Sequence, residues 1–126
     1  MSNKQFIADV AQLENGGIGI VFKVQEQDLA VPAFAVRYQG VVRAFKNRCG
    51  HIAVTLDFKP GQFFTEEGDF LVCSTHGALY EPASGACTGG PCYGVGLEPL
   101  ATIEEGGKLY LNDNSVTLST DQGQAD

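Results

Sequence analysis

From Ile18 onward the apolar residues of this chain fall in short β-rich runs, each closed by glycine, proline or a polar turn, and stripes of helical period are scarce. Residues 18–24 form the first run. Residues 33–38 follow, then Gln39-Gly40, then residues 41–46, a spacing that predicts a hairpin. Phe34, Val36 and Tyr38 alternate onto one face of its first arm. Residues 70–73 are a further short strand entered from Glu67-Gly68-Asp69, and residues 77–81 run into the turn Pro82-Ala83-Ser84-Gly85. Residues 97–104 and 108–111 flank Glu105-Gly106-Gly107 as a second hairpin. The best helical candidate lies at the start, where Phe6, Val10 and Leu13 share one face before Asn15-Gly16-Gly17 stops the run. The segment 115–126 is polar and is expected to be loose at its end. No repeat or linker interrupts the pattern, so the expectation is one domain over residues 1–126, mainly β, with long loops between strands.

Composition narrows the function more than the fold. A chain of 126 residues, 44% hydrophobic and 18% charged, has the make-up of one folded soluble domain. It contains no apolar run long enough to cross a bilayer and no basic-then-apolar leader, so a cytoplasmic protein without a membrane role is expected. Eight Lys plus Arg against fifteen Asp plus Glu give a net charge of −7. Nucleic acid needs a basic footprint to bind and is not an expected partner; the acidic surface suits solubility, or steering towards a basic partner.

The candidate chemistry is in the cysteines and histidines. The chain has two histidines and four cysteines, and each histidine follows closely on a cysteine: Cys49-Gly50-His51 and Cys73-Ser74-Thr75-His76. Twenty-one residues separate the two pairs, and both fall where a strand gives way to a loop. Two such loops at one end of a β-sandwich could gather all four side chains around one metal site. Thiolate with imidazole is ligand chemistry for zinc, copper or iron. A structural zinc site prefers Cys-x2-Cys or wider spacing with all four ligands on one ion. A two-iron cluster is the other solution, and a short Cys-x-His step suits ligands that must reach different irons.

The two motifs together resemble the paired signature of the Rieske [2Fe–2S] family, and the resemblance extends over about residues 18–112. Gly85-Ala86-Cys87-Thr88-Gly89-Gly90-Pro91-Cys92 is similar to the Pro/Gly-rich third loop that closes over the cluster in that family. The resemblance implies an all-β, Rieske-like antiparallel β-sandwich whose cluster-binding part, about residues 44–96, is formed by two ligand loops and the Pro/Gly loop. It implies that Cys49 and Cys73 ligate the inner iron through sulfur. His51 and His76 would ligate the outer iron through Nδ1 and leave Nε2 at the surface, as the exit route for an electron. Protonation of those ring nitrogens would couple to the charge of the cluster, so the potential should fall as pH rises through their pKa values. Pro91 would shape the wall of the site.

Departures from the family pattern set the subtype. High-potential members of the quinol-oxidising complexes carry two more cysteines, bridged between the ligand loops; the matching positions here are Val54 and Thr75, and no bridge can form. In those members a serine and a tyrosine donate hydrogen bonds to sulfur, which raises the potential. Here Ala78 stands at the serine position and Tyr80 at the tyrosine position, so one donor is missing. A potential in the lower half of the Rieske range of about −150 to +300 mV is expected. The alternative for Tyr80 is plain packing with its hydroxyl in water. Cys87 and Cys92 lie outside the ligand set. Burial as small apolar side chains is the expectation for them, with a disulfide across the third loop or redox-responsive thiols as the alternatives.

The chain has no histidine to spare for the mononuclear iron of a Rieske oxygenase, and Gly16-Gly17-Ile18-Gly19 lacks the strand-turn-helix setting of a nucleotide fingerprint. The expected protein is therefore not an enzyme but a soluble ferredoxin of this kind, a one-electron carrier between a reductase and an oxygenase or other redox enzyme. A small accessory subunit of a larger reductase, or a redox sensor using Cys87 and Cys92, are the other classes.

Overall fold

In a computed structural model, residues 4–48, 56, 61–73, 77–89 and 96–119 are described. The fold is organised by its longest strand, β3 (Leu29–Tyr38), which turns back into β4 (Val41–Lys46) with Tyr38 opposite Val41. The turn is the expected one. Gln39 and Gly40 both take positive φ, 51° and 82°, the two-residue geometry whose twist matches that of the flanking strands. The sequence of β3 is almost continuously apolar, the signature of a strand buried on both faces. Val31, Ala33 and Ala35 face one core with Val24, Leu109 and Leu111, while Phe34 and Val36 face a second with Phe45, Leu71 and Tyr80.

Strand β2 (Ile20–Glu26) flanks β3 on its other side, and the central sheet has the order β11-β2-β3-β4-β8, with β8 at Pro99–Leu100 and β11 at Thr117–Leu118. The first core is closed by a sheet of β1 (Gln5–Asp9), β10 (Lys108–Leu111) and β9 (Thr102–Glu105). The second is closed by a small sheet of β5 (Leu71–Val72), β6 (Leu79–Tyr80) and β7 (Cys87–Gly89). All named strands pair antiparallel, and among the described residues there is no helix. The all-β sandwich is thus as expected.

Three details differ from the sequence reading. The helix expected from Phe6, Val10 and Leu13 is instead strand β1, paired with β10 from Gln5↔Leu111 to Asp9↔Lys108 across a bulge. A helix this short is marginal by itself, whereas the edge of β10 offers a full ladder. Phe6 stays half exposed against the edge of Tyr110, and only Val10 is fully buried. The run 97–104 divides at Ala101: β8 joins the central sheet and β9 crosses to the other. Third, the segment 115–119, which the sequence shows only as a polar run, is docked. Val116 is buried in the first core, β11 pairs with Val24 and Gln25, and Ser119 N–H donates to Lys23 O at 3.0 Å. Residues 120–126 lie outside the described part.

Two polar side chains fasten the sandwich where strands cannot. Arg37 donates from Nε to Leu13 O (2.7 Å) and from Nη2 to Val10 O (2.9 Å), and it pairs with Glu104 at 3.0 Å, pinning the β1–β2 connection onto β3 and β9. At the sheet crossing, Asp113 accepts from Ala101 N–H (2.8 Å) and from the N–H (2.9 Å) and hydroxyl of Ser115. Partial burial pushes this carboxyl up, but those hydrogen bonds and the positive charge of Lys46 outweigh it and hold the pKa below its ordinary 3.8. A depressed folded pKa contributes stability above the unfolded value and loses it as pH falls through the folded one. The wild type should therefore lose thermal stability more steeply below about pH 4 than Asp113→Asn does. Melting temperatures across that pH interval check this; parallel profiles would refute the assignment.

Candidate metal centre

Three connections leave the second core, and the described residues at their bases show how each is held. The first runs from the end of β4 to Leu56. The second joins β5 to β6, and the third joins β7 to β8. Leu56, Cys73, Ala78 and Leu97, one or two from each base, belong to a single apolar cluster with Phe34, Phe45, Phe63 and Tyr80. The bases of all three loops thus converge, as a shared site requires.

The second loop is closed by the backbone. Cys73 N–H donates to Ala78 O at 2.9 Å, and Gly77 N–H donates to Cys73 O at 2.7 Å. Gly77 has φ 77°, a left-handed conformation that glycine adopts without strain. The third loop closes by close backbone approach: Leu97 N–H donates to Gly85 O at 2.8 Å, and a Cβ on Gly96 would lie 2.6 Å from that same oxygen. At the base of the first loop, Leu56 N–H donates to Asn47 Oδ1 at 2.8 Å.

Of the residues expected at the site, Cys73 and Tyr80 are described, both fully buried. Cys49, His51, His76 and Pro91 lie outside the described residues, as does Cys92. Cys73 stands outside any disulfide, at the point where β5 ends and its loop begins. Fully buried at the root of its loop, Cys73 is placed where a soft ligand on the inner side of a cluster would stand.

Tyr80 is placed on β6 opposite Cys87 of β7, and its complete burial removes the reading in which its hydroxyl rests in water. Ala78 is equally buried and presents only a methyl group at the serine position. If the Tyr80 hydroxyl donates to sulfur, Tyr80→Phe removes one hydrogen bond of about 1 kcal/mol, or for one electron roughly 40 mV. A fall of that order in the reduction potential is the expected outcome of a redox titration; an unchanged potential assigns Tyr80 to packing alone.

The expectation that Cys87 is a buried thiol is overturned. Cys87 is disulfide-bonded and only partly buried. Its partner lies outside the described residues. The expectation of reduced thiols in a cytosolic chain does not hold for Cys87.

Sequence reasoning also missed a charged cluster at the start of the first loop. Lys46 is buried and reaches Glu26 at 3.1 Å and Glu98 at 3.4 Å, while Arg48 reaches Glu98 at 2.8 Å. Two cations against two carboxylates leave the approach to Cys49 nearly neutral. The one available signal was a pair of basic residues, Lys46 and Arg48, beside a ligand motif in a chain with so few.

A family model described as the Rieske [2Fe-2S] domain matches residues 3–104. No curated protein matches. Among solved structures, the fold is similar to that of the ferredoxin of carbazole 1,9a-dioxygenase from Nocardioides aromaticivorans IC177, at 22% identity and TM-score 0.68, covering 90% of this chain and all of that one. It is similar to a Sphingomonas yanoikuyae B1 ferredoxin, at 21% identity and TM-score 0.67 over 88% of this chain and 99% of that one. A third is a chain in a complex of reduced oxygenase and oxidized ferredoxin in carbazole 1,9a-dioxygenase, at 18% identity and TM-score 0.67 over 91% of this chain and 97% of that one.

Proposed function

Because this chain belongs to the Rieske [2Fe–2S] family, we propose that it is a one-electron carrier that passes electrons from a reductase to an oxygenase or another redox enzyme. The observation that carries the reading is the complete donor set, Cys49, His51, Cys73 and His76, inside a family match that covers most of the chain. The family's cofactor is one [2Fe–2S] cluster per domain, which supplies reversible one-electron exchange when bound. Cys49 and Cys73 hold its inner iron, and His51 and His76 hold the outer one and offer the electron to a partner. Tyr80 and Pro91 complete the surroundings.

Both histidines are spoken for, so none is left for a mononuclear iron, which supports an electron-transfer protein rather than an enzyme with its own substrate site. Several similar structures are ferredoxins of dioxygenase systems, one of them seen with its oxygenase, which supports an oxygenase as acceptor. The domain extends over the whole chain in this reading, with residues 44–96 as its cluster-binding part and a membrane-free, cytoplasmic setting. Among the described residues no helix is long and apolar enough to span a bilayer.

The test is a reduction titration of the purified holoprotein, followed by electron delivery to purified Rieske oxygenases. One reversible electron per chain is expected, with a potential in the lower half of the range of about −150 to +300 mV. Oxygenase turnover should depend on the protein. Iron and sulfide reconstitution that yields no reducible chromophore would end the proposal.

A further inference from the structure

The β2–β3 hairpin reaches further at one end of the domain than β4 does. Strand β4 stops at Lys46, opposite Ala33, and Asn47 N–H donates to Pro32 O at 2.8 Å. Residues 26–31 of the hairpin therefore run on past the last β3–β4 pair, on the side where the first loop leaves the sheet. The tip is held firmly. Val24 and Val31 face each other across the hairpin and are both buried in the first core. Beyond them Glu26 pairs with Leu29 across a turn of Gln27 and Asp28, and Gln27 to Ala30 are all exposed. Gln27 takes φ 55°, its carbonyl oxygen accepts from Gln25 Nε2 at 3.0 Å, and Thr117 of β11 supports Gln25 from the outer side.

Leu29 is 68% exposed on this tip. A single exposed leucine is ordinary on a protein surface. This one stands on a projection fixed in advance, at the end of the domain from which the first loop leaves, and carboxylates flank it. Glu26 is its cross-strand partner and Asp28 its neighbour, and Glu98 joins Glu26 on Lys46, at 3.4 and 3.1 Å. We infer that the 26–29 tip is a docking contact for the electron-accepting oxygenase, whose face offers an apolar recess rimmed by Lys or Arg. Leu29 enters the recess, and the carboxylates of Glu26 and Asp28 meet the rim. A tip already held in shape loses little conformational freedom when it is covered. The net charge of −7 steers the same kind of partner from a distance.

This inference rests on the carrier reading, and the experiment separates the two. Holoprotein is reduced chemically, so that no reductase is needed, and mixed without oxygen with rising amounts of a purified Rieske oxygenase. One electron leaves the reduced carrier and reduces the oxygenase, and the rate is followed in the visible spectrum. Leu29→Ala should raise the oxygenase concentration for half-maximal rate about 3- to 10-fold, with chromophore, reduction potential and limiting rate unchanged. Asp28→Lys should raise it by about the same factor at low salt, and the difference should shrink as salt is added. Ile18→Ala removes a side chain as exposed as Leu29, at 65%, from beyond the opposite end of β2, and should behave as wild type. An unchanged concentration for Leu29→Ala, an equal rise for Ile18→Ala, or a fall for Asp28→Lys would overturn the docking role. A wild type with no reducible chromophore would overturn the carrier reading itself, and this inference with it.

Discussion

Cys73→Ala is expected to abolish the cluster chromophore completely while leaving the strands in place. The two parts of this result come from different properties of one residue. As a packed group Cys73 is a small side chain among Leu71, Ala78 and Tyr80, and loss of one sulfur from such a place costs no more than a modest cavity, about 1–2 kcal/mol. The hydrogen bonds that close its loop run through backbone atoms, Cys73 N–H to Ala78 O and Gly77 N–H to Cys73 O, and survive the substitution. In the proposed role of ligand the same sulfur has no substitute: alanine offers no donor, and the iron it is proposed to hold would lose half of its protein sulfur. Far-ultraviolet circular dichroism should be close to wild type, whereas iron content and the visible spectrum should fall to background. Chromophore retained at wild-type intensity would show that Cys73 is only a buried thiol and that the ligand set is wrong.

The substitution also separates two ways in which the sequence could be read. A fully buried cysteine is by itself unremarkable, since cysteine is among the residues most often found inside. What marks Cys73 as a proposed ligand is the His76 three residues on and the matching Cys49-Gly50-His51 upstream, a pattern that needs no structure to see. Tyr80 and Ala78 followed from the same motif by position. The hairpins were legible for a similarly local reason: Gln39-Gly40 and Gly106-Gly107 supply the positive φ values that tight turns demand.

The rest was written in contacts too distant for periodicity to report. Gln5 and Leu111 are more than a hundred positions apart, so nothing near Phe6 announced that this segment would add a strand to β10 rather than coil into a helix. The docking of residues 116–119 was hard to read because only two apolar residues, Val116 and Leu118, alternate in a polar stretch, and the segment's partners Gln5, Lys23 and Val24 lie some ninety or more positions away. Asn47 was invisible for another reason. A buried asparagine has no signature in composition, and its partner Leu56 lies on the far side of the loop it closes. The disulfide at Cys87 is the alternative that burial outranks in the sequence, because free cysteine is commonly buried and a cytosolic setting keeps thiols reduced.

Phe34→Ala should have the largest effect on stability, and through stability on the cluster. Phe34 is wholly buried, stacked on Phe63 at a ring-centroid distance of 4.0 Å and an interplanar angle of 12°, and tilted against its cross-strand partner Phe45 at 5.7 Å. Truncation removes a ring that touches both a strand of the central sheet and the segment leading to β5, and the backbone of β3, held between two neighbours, cannot collapse to fill the space. Such losses cost about 3–5 kcal/mol, against a total stability of about 5–15 kcal/mol for a domain of this kind. A fall in melting temperature of roughly 10–20 °C is expected for the holoprotein. Among the described residues, the bases of all three loops join the apolar cluster that this aromatic stack centres. Cluster loss to chelator should therefore quicken in Phe34→Ala even at temperatures where the protein remains folded, in contrast to Val24→Ala across β3 in the other core. Equal bleaching rates for these two variants, compared at equal distance below their melting points, would mean that the second core supports the loops no more than the first does.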